Sequence, residues 1–277
     1  MSSGNGPDNS SRKQRREQAR EQRKAREAAE AASATRRRRL SQLGAVAAVV
    51  VVAIVVIVIA TGGKSSNPAE TPAPQTKNAR LASQDTVKSE IGGIEQSGDV
   101  LGKSNAPVTM QYFGDLECPI CRDFTLGALP GIIQNEVRSG KLKIEYRSLQ
   151  TATRQPEVFL NQQVAALAAG KQNLAWYYIE LFYHEQGKEG SEYVTESYLQ
   201  GIAQQVPGLN LKQWSSDRND KALKSQIYAD EKAANEIGFK GTPSFMLGKT
   251  GSKLKPFQPS SLTQSSAFEG EINKLAS

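Results

Sequence analysis

Eighteen consecutive residues, Leu43–Ala60 (LGAVAAVVVVAIVVIVIA), carry no charge and no strong polar group; eight are Val, five Ala and three Ile. As a helix this stretch rises roughly 27 Å, close to the hydrocarbon thickness of a bilayer. A core helix or strand of that length would normally show a polar face. The stretch therefore reads as a transmembrane signal anchor and divides the chain in two. A cleaved signal peptide is the rival reading, since Val58 and Ala60 offer a small-residue cleavage site. The preceding arm is 42 residues long, however, and the apolar run exceeds the roughly 7–15 residues usual for a signal peptide. Arg36, Arg37, Arg38 and Arg39 abut one end and only Lys64 lies near the other. The positive-inside rule then places the N-terminus in the cytoplasm and the remainder outside, as a single-pass protein of the cell membrane.

Charge obeys the same division. The 277 residues carry a formal net charge of +7. Residues 1–42 hold 12 basic and 5 acidic side chains, whereas residues 43–277 hold 23 of each. A nucleic-acid footprint would be expected on the folded part, so nucleic acid is not an expected partner. The basic arm, 1–42, reads as a disordered, solvated segment that sets topology and meets anionic headgroups. Residues 61–85, with Gly62, Gly63, Pro68, Pro72 and Pro74 among Ser, Thr, Asn and Gln, read as a flexible linker to a domain at 86–277.

Within 86–277, Val108–Phe113 has strand character and is broken by Gly114 and Asp115. Cys118-Pro119-Ile120-Cys121 follows, and apolar residues at helical spacing continue through Arg138: Phe124, Leu129, Ile132, Ile133 and Val137. Pro119 suits a first helical turn, where its missing N–H costs nothing. Leu142–Leu149 is a second strand candidate. Helices are expected at Val158–Phe182, Glu196–Val206 and Leu211–Glu236, and from Pro259 to Ala276. Trp176, Tyr177, Leu181 and Phe182, at helical spacing, read as core rather than as a binding box.

A thiolate at a helix N-terminus faces unpaired N–H groups and the positive end of the dipole, which lowers its pKa. A second thiol three residues on can close a short disulfide or resolve a mixed one. Cys118 is thus the candidate nucleophile and Cys121 the resolving thiol. Glu117 should oppose the thiolate slightly. With two cysteines and one histidine, His184, the cysteine–histidine sets that make a structural zinc site are not available, and no metal is expected. His184 reads as an ordinary surface or core residue.

CxxC alone leaves an inert disulfide open. Far downstream lies Gly241-Thr242-Pro243, followed by Ser244-Phe245-Met246-Leu247-Gly248. With APVTMQYFGDLECPICRDF (106–124), NQQVAALAAGKQNLAWYYIELFYHEQG (161–187), ADEKAANEIGFKGTPSFMLG (229–248) and the terminal helix, the sequence resembles the DsbA-like thiol:disulfide oxidoreductases of the thioredoxin fold. The resemblance implies an α/β thioredoxin-like fold with a helical insertion, which the 122 positions from Cys121 to Pro243 accommodate. It implies that Pro243 is cis beside the sulfurs and that Thr242 offers backbone groups to a substrate strand. It further implies disulfide transfer to reduced or unfolded secreted proteins, a quinone-linked membrane partner for reoxidation, and no organic cofactor. Pro119-Ile120 departs from the pattern, lacking the His that many strong oxidants of this branch carry there. A reductase or isomerase on the same fold and a tethered, non-catalytic binding or chaperone module are the alternatives.

Overall fold

The computed structural model describes residues 83–277. The expected arm (1–42) and anchor (43–60), and the linker (61–85) apart from its last three positions, lie outside them. Among the described residues no helix is long and apolar enough to cross a membrane. The linker boundary shifts, because a helix already runs from Gln84 to Ile91 (α1), burying Val87 and Ile91.

A six-stranded sheet forms the centre, in the order β1-β2-β4-β3-β5-β6. Its members are β1 (Gln96–Ser97), β2 (Val100–Leu101), β3 (Val108–Gly114), β4 (Leu142–Ser148), β5 (Ser244–Lys249) and β6 (Lys255–Phe257). β3 and β4 are parallel, with Val108 opposite Leu142 and Gly114 opposite Ser148. β5 runs antiparallel to β3, with Phe113 opposite Ser244. That register puts Pro243, one residue before β5, at the end of the sheet where β3 hands over to the CxxC segment. β3 is apolar nearly throughout because it is central and covered on both faces; six of its seven residues are buried.

The helices after β3 are α2 (Pro119–Leu126) and α3 (Ala128–Ile132), the latter continuing as a π-helical turn, Ile133–Val137. One helical run to Arg138 was expected; Gly127, packed against Thr263 and the Asp123 carbonyl, interrupts it instead. Between β4 and β5 lies the helical insertion: α4 (Pro156–Gly170), α5 (Ala175–His184), α6 (Glu196–Gln205), α7 (Leu211–Asp217) and α8 (Lys221–Ile237). The expected Val158–Phe182 helix is two helices, since Gly170 ends the first and Asn173 takes a left-handed φ of 59° before the second. Likewise the Leu211–Glu236 run divides where Asp220 caps α8 by accepting the Ala222 N–H at 2.9 Å. The terminal helix α9 covers only Ser266–Ala276.

Trp176, Leu181 and Phe182 are fully buried, as expected of core residues, whereas Tyr177 is only partly buried against the same core. Under the CxxC segment Tyr112, Phe124, Phe245 and Phe268 form an aromatic cluster with ring centroids 4.9–5.7 Å apart. Edge-to-face and offset pairs of this kind contribute about 0.5–1.5 kcal/mol each beyond area burial. They anchor α2 to β3, β5 and α9.

Candidate active site

Cys118 is the N-cap of α2, with extended backbone (φ −73°, ψ 118°) and Pro119 at the first helical position. Its Sγ accepts the Cys121 N–H at 3.4 Å, so a sulfur occupies the place where a capping oxygen usually sits. As a thiol, Cys118 donates to the Thr242 carbonyl oxygen, also at 3.4 Å. The Thr242–Pro243 peptide bond is cis. Both cysteines are free thiols. Cys118 keeps 5% of its surface exposed and Cys121 none.

Their acidities part accordingly. Hydrogen bonding from the Cys121 thiol, together with Thr242 and the backbone N–H groups of Cys121 and Ile120, holds the Cys118 thiol down to about 6 against a partly opposing burial. Burial pushes the Cys121 thiol far up, and the Cys118 sulfur reinforces this. Of the Pro119-Ile120 dipeptide, both residues face solvent; Ile120 is 46% exposed, a large apolar side chain two positions after Cys118 in the chain.

Residues outside the two motifs hold this geometry. Asp115, fully buried, accepts the N–H groups of Thr151, Ala152 and Thr153, each at 2.9 Å, and that of Glu117 at 3.1 Å. One carboxylate thereby ties the β3 exit to the loop after β4. That loop meets the cis-proline segment through Thr151 Oγ1 and Thr242 Oγ1, 2.5 Å apart. From the far side, the Gln186 amide donates to the carbonyls of Leu116 (2.7 Å) and Cys118 (3.1 Å). Arg122 Nε donates to the Tyr183 carbonyl at 3.1 Å, joining α2 to α5. Gly114 is needed at the turn because a Cβ there would lie 2.9 Å from both the Tyr146 ring and the Tyr183 hydroxyl. Glu117 is buried, which raises its carboxyl, and it borders a cleft of about 250 Å³ shared with Thr153, Arg154, Gln155, Val158 and Glu192.

The structure thus brings Cys118, Cys121, Thr242 and Pro243 together across more than 120 positions. Sequence reasoning named Asp115 and Glu117 without placing them, and it missed Thr151, Gln186 and Arg122 as supports. Only the position of Asp115, directly after a glycine strand break, carried any signal.

Fold and site define a thioredoxin-fold dithiol protein with a helical insertion before its cis-proline strand. The family model described as Thioredoxin matches residues 95–262, and the chain belongs to that family. A protein of Bacillus anthracis named "Probable disulfide bond formation protein D" is 28% identical over 151 residues, 52% of this chain and 66% of that protein. "Disulfide bond formation protein D" of Bacillus subtilis is 24% identical over 169 residues, covering 57% and 73%. Among solved structures, oxidised BdbD from Bacillus subtilis superposes with a TM-score of 0.54 at 20% identity, covering 66% of this chain and 97% of that one. Wolbachia pipientis alpha-DsbA1 gives 0.54 at 20% identity, covering 64% and 90%.

Proposed function

We propose that this chain introduces disulfides into reduced or unfolded proteins outside the cytoplasm, through Cys118 and Cys121, while Leu43–Ala60 tethers it to the cell membrane. The inequality of the two thiols carries this reading: one is acidic and reachable at a helix N-terminus, the other sealed and held protonated. A low thiol pKa at Cys118 favours the reduced enzyme and makes that sulfur the good leaving group, both properties of an oxidant. The names of the Bacillus relatives agree with that direction.

In the forward reaction a client thiolate attacks Sγ of Cys118 in the Cys118–Cys121 disulfide. A client–Cys118 disulfide forms, and Cys121 leaves and takes up a proton. A second client thiolate then attacks the client sulfur, and Cys118 leaves as a thiolate. Two electrons have passed from client to enzyme, and a membrane partner, quinone-linked by family resemblance, removes them. The client backbone adds beside Thr242, whose carbonyl already faces the Cys118 sulfur. Exposed Ile120 and the cleft beside Glu117 receive client side chains without demanding a particular sequence.

Cys121→Ser tests the roles. It should accumulate mixed disulfides between Cys118 and extracytoplasmic clients on nonreducing gels; a complete lack of trapped species would favour a non-catalytic binding module. The Pro-Ile dipeptide, which has no cation to pair with the thiolate, favours a milder oxidant or an isomerase as second reading. The reduction potential separates these.

A further inference from the structure

Among the described residues outside the dithiol site, the buried carboxylate of Glu180 has no hydrogen-bond partner. Glu180 on α5 is 1% exposed, and among the described residues neither of its side-chain oxygens accepts a hydrogen bond. Isolated buried carboxylates are strongly unfavourable unless neutralised. One turn further along the same face is His184, whose Nε2 is also buried and without a hydrogen-bond partner. From α1, Glu90 Oε2 approaches His184 Nε2 to 3.7 Å. The three candidate donor atoms all lie within 4.8 Å of one another.

We propose that Glu90, Glu180 and His184 form a divalent transition-metal site of the zinc type that fastens α1 to α5. Two carboxylates and a neutral imidazole present two negative charges, which one divalent ion balances. The mixed nitrogen and oxygen donor set suits zinc and its first-row neighbours, whereas calcium and magnesium take oxygen donors only. Donors around a tetrahedral zinc at about 2.0–2.1 Å stand roughly 3.3 Å apart, so the His184–Glu90 pair has a few tenths of an ångström to close. Glu90 is half-buried and its side chain can move. A solvent molecule completes the coordination. Counting only cysteines and histidines along the chain hid the site, because two of its ligands are carboxylates from helices 90 residues apart.

Its position gives it a purpose. On the residue before His184, the Tyr183 carbonyl receives Arg122 from the active-site helix. On the residue after it, Glu185 Oε1 accepts the Ser83 hydroxyl at 2.7 Å. An ion here holds α1 against the element that supports α2.

The test uses the full chain with the Cys118–Cys121 disulfide closed, so that thiols cannot ligate, stripped with chelator and titrated with Zn²⁺ by calorimetry and with Co²⁺ by visible absorption. One equivalent of each should bind, and Zn²⁺ should raise the midpoint of thermal unfolding. His184 is the only histidine in the chain, so His184→Ala should abolish the nitrogen-ligated Co²⁺ spectrum. Glu180→Gln and Glu90→Gln should each weaken Zn²⁺ at least about tenfold, the lower end of what even outer-shell partners cost. Glu90→Gln, at a half-buried position, covers the case in which the deeper variants fail to fold. No stoichiometric binding by the unmodified chain, or Zn²⁺ affinity unchanged in Glu90→Gln, overturns the proposal.

Discussion

Cys118 Sγ and the Thr242 carbonyl oxygen stand 3.4 Å apart although 124 positions separate them in the chain. The contact places the Cys118 sulfur against the backbone of the cis-proline segment. It also makes the chemistry depend on three loops at once: the β3–α2 turn, the loop after β4 and the approach to β5.

The first consequence is a pH profile. Iodoacetamide should alkylate Cys118 of the reduced protein with a midpoint near pH 6, because hydrogen bonds hold its thiol at about that value. Cys121 should stay unreactive to well above pH 9 in the folded state, and peptide mapping distinguishes the two.

Stability of the reduced form should follow the same titration. The folded pKa of Cys118, about 6, lies below its ordinary value of 9.0, so ionisation favours the folded state. That contribution is complete above about pH 9 and is lost as pH falls through about 6. The oxidised protein has no such group. Denaturant unfolding should therefore show the reduced form gaining on the oxidised one by up to roughly 4 kcal/mol between pH 6 and 9. Cys121, shifted the other way, acts only above that window.

The reduction potential of the pair should fall between those of a thioredoxin and a strong oxidant, about −270 and −120 mV, as a thiol pKa near 6 lies between about 7 and 3.5. Ile120→His should move it in the oxidising direction. An imidazolium beside the helix N-terminus stabilises the Cys118 thiolate, and each unit of pKa lowering that favours the dithiol form contributes roughly 30 mV. Equilibration with glutathione measures both proteins; an unchanged potential in the variant would show that position 120 does not feel the sulfur.

Asp115→Ala should destabilise the domain by about 3 kcal/mol or more, measured by urea unfolding. Four backbone N–H groups, of Glu117, Thr151, Ala152 and Thr153, lose a buried acceptor at once. Asp115→Asn, which keeps an acceptor oxygen, should recover part of the loss.

Phe124→Ala removes a fully buried ring that contacts Tyr112, Phe245 and Phe268. A cost of about 3–5 kcal/mol is expected, with α2 loosened and the acidity of Cys118 relaxed toward that of a free thiol.

Much of this was legible along the chain. The run Val108–Phe113, the CPIC segment with Pro119 in its first turn, and Thr242-Pro243 ahead of an apolar strand are each written in a few adjacent residues, so their local pattern announces them, although the contact between the last two spans 124 positions. Helix boundaries in the insertion were less legible. The breaks at Asn173 and Asp220 rest on single residues inside otherwise helical composition, and only the packing of α4, α5 and α8 selects them. The short strands β1, β2 and β6 have no pattern of their own; β2 and β6 exist because the edges of β4 and β5 offer partners, and β1 because β2 does.

By itself the sequence determined the dithiol, its place at a helix start, and the family, because a reactive cysteine needs local backbone geometry that a short motif encodes. Tertiary structure alone decided how that motif is held. Asp115 reaching Thr151–Thr153, Gln186 reaching Leu116 and Cys118, and Glu180 facing His184 and Glu90 are side chains whose partners lie on other elements. Burial gives such pairings their strength, and burial is a property of the packed chain rather than of any segment within it.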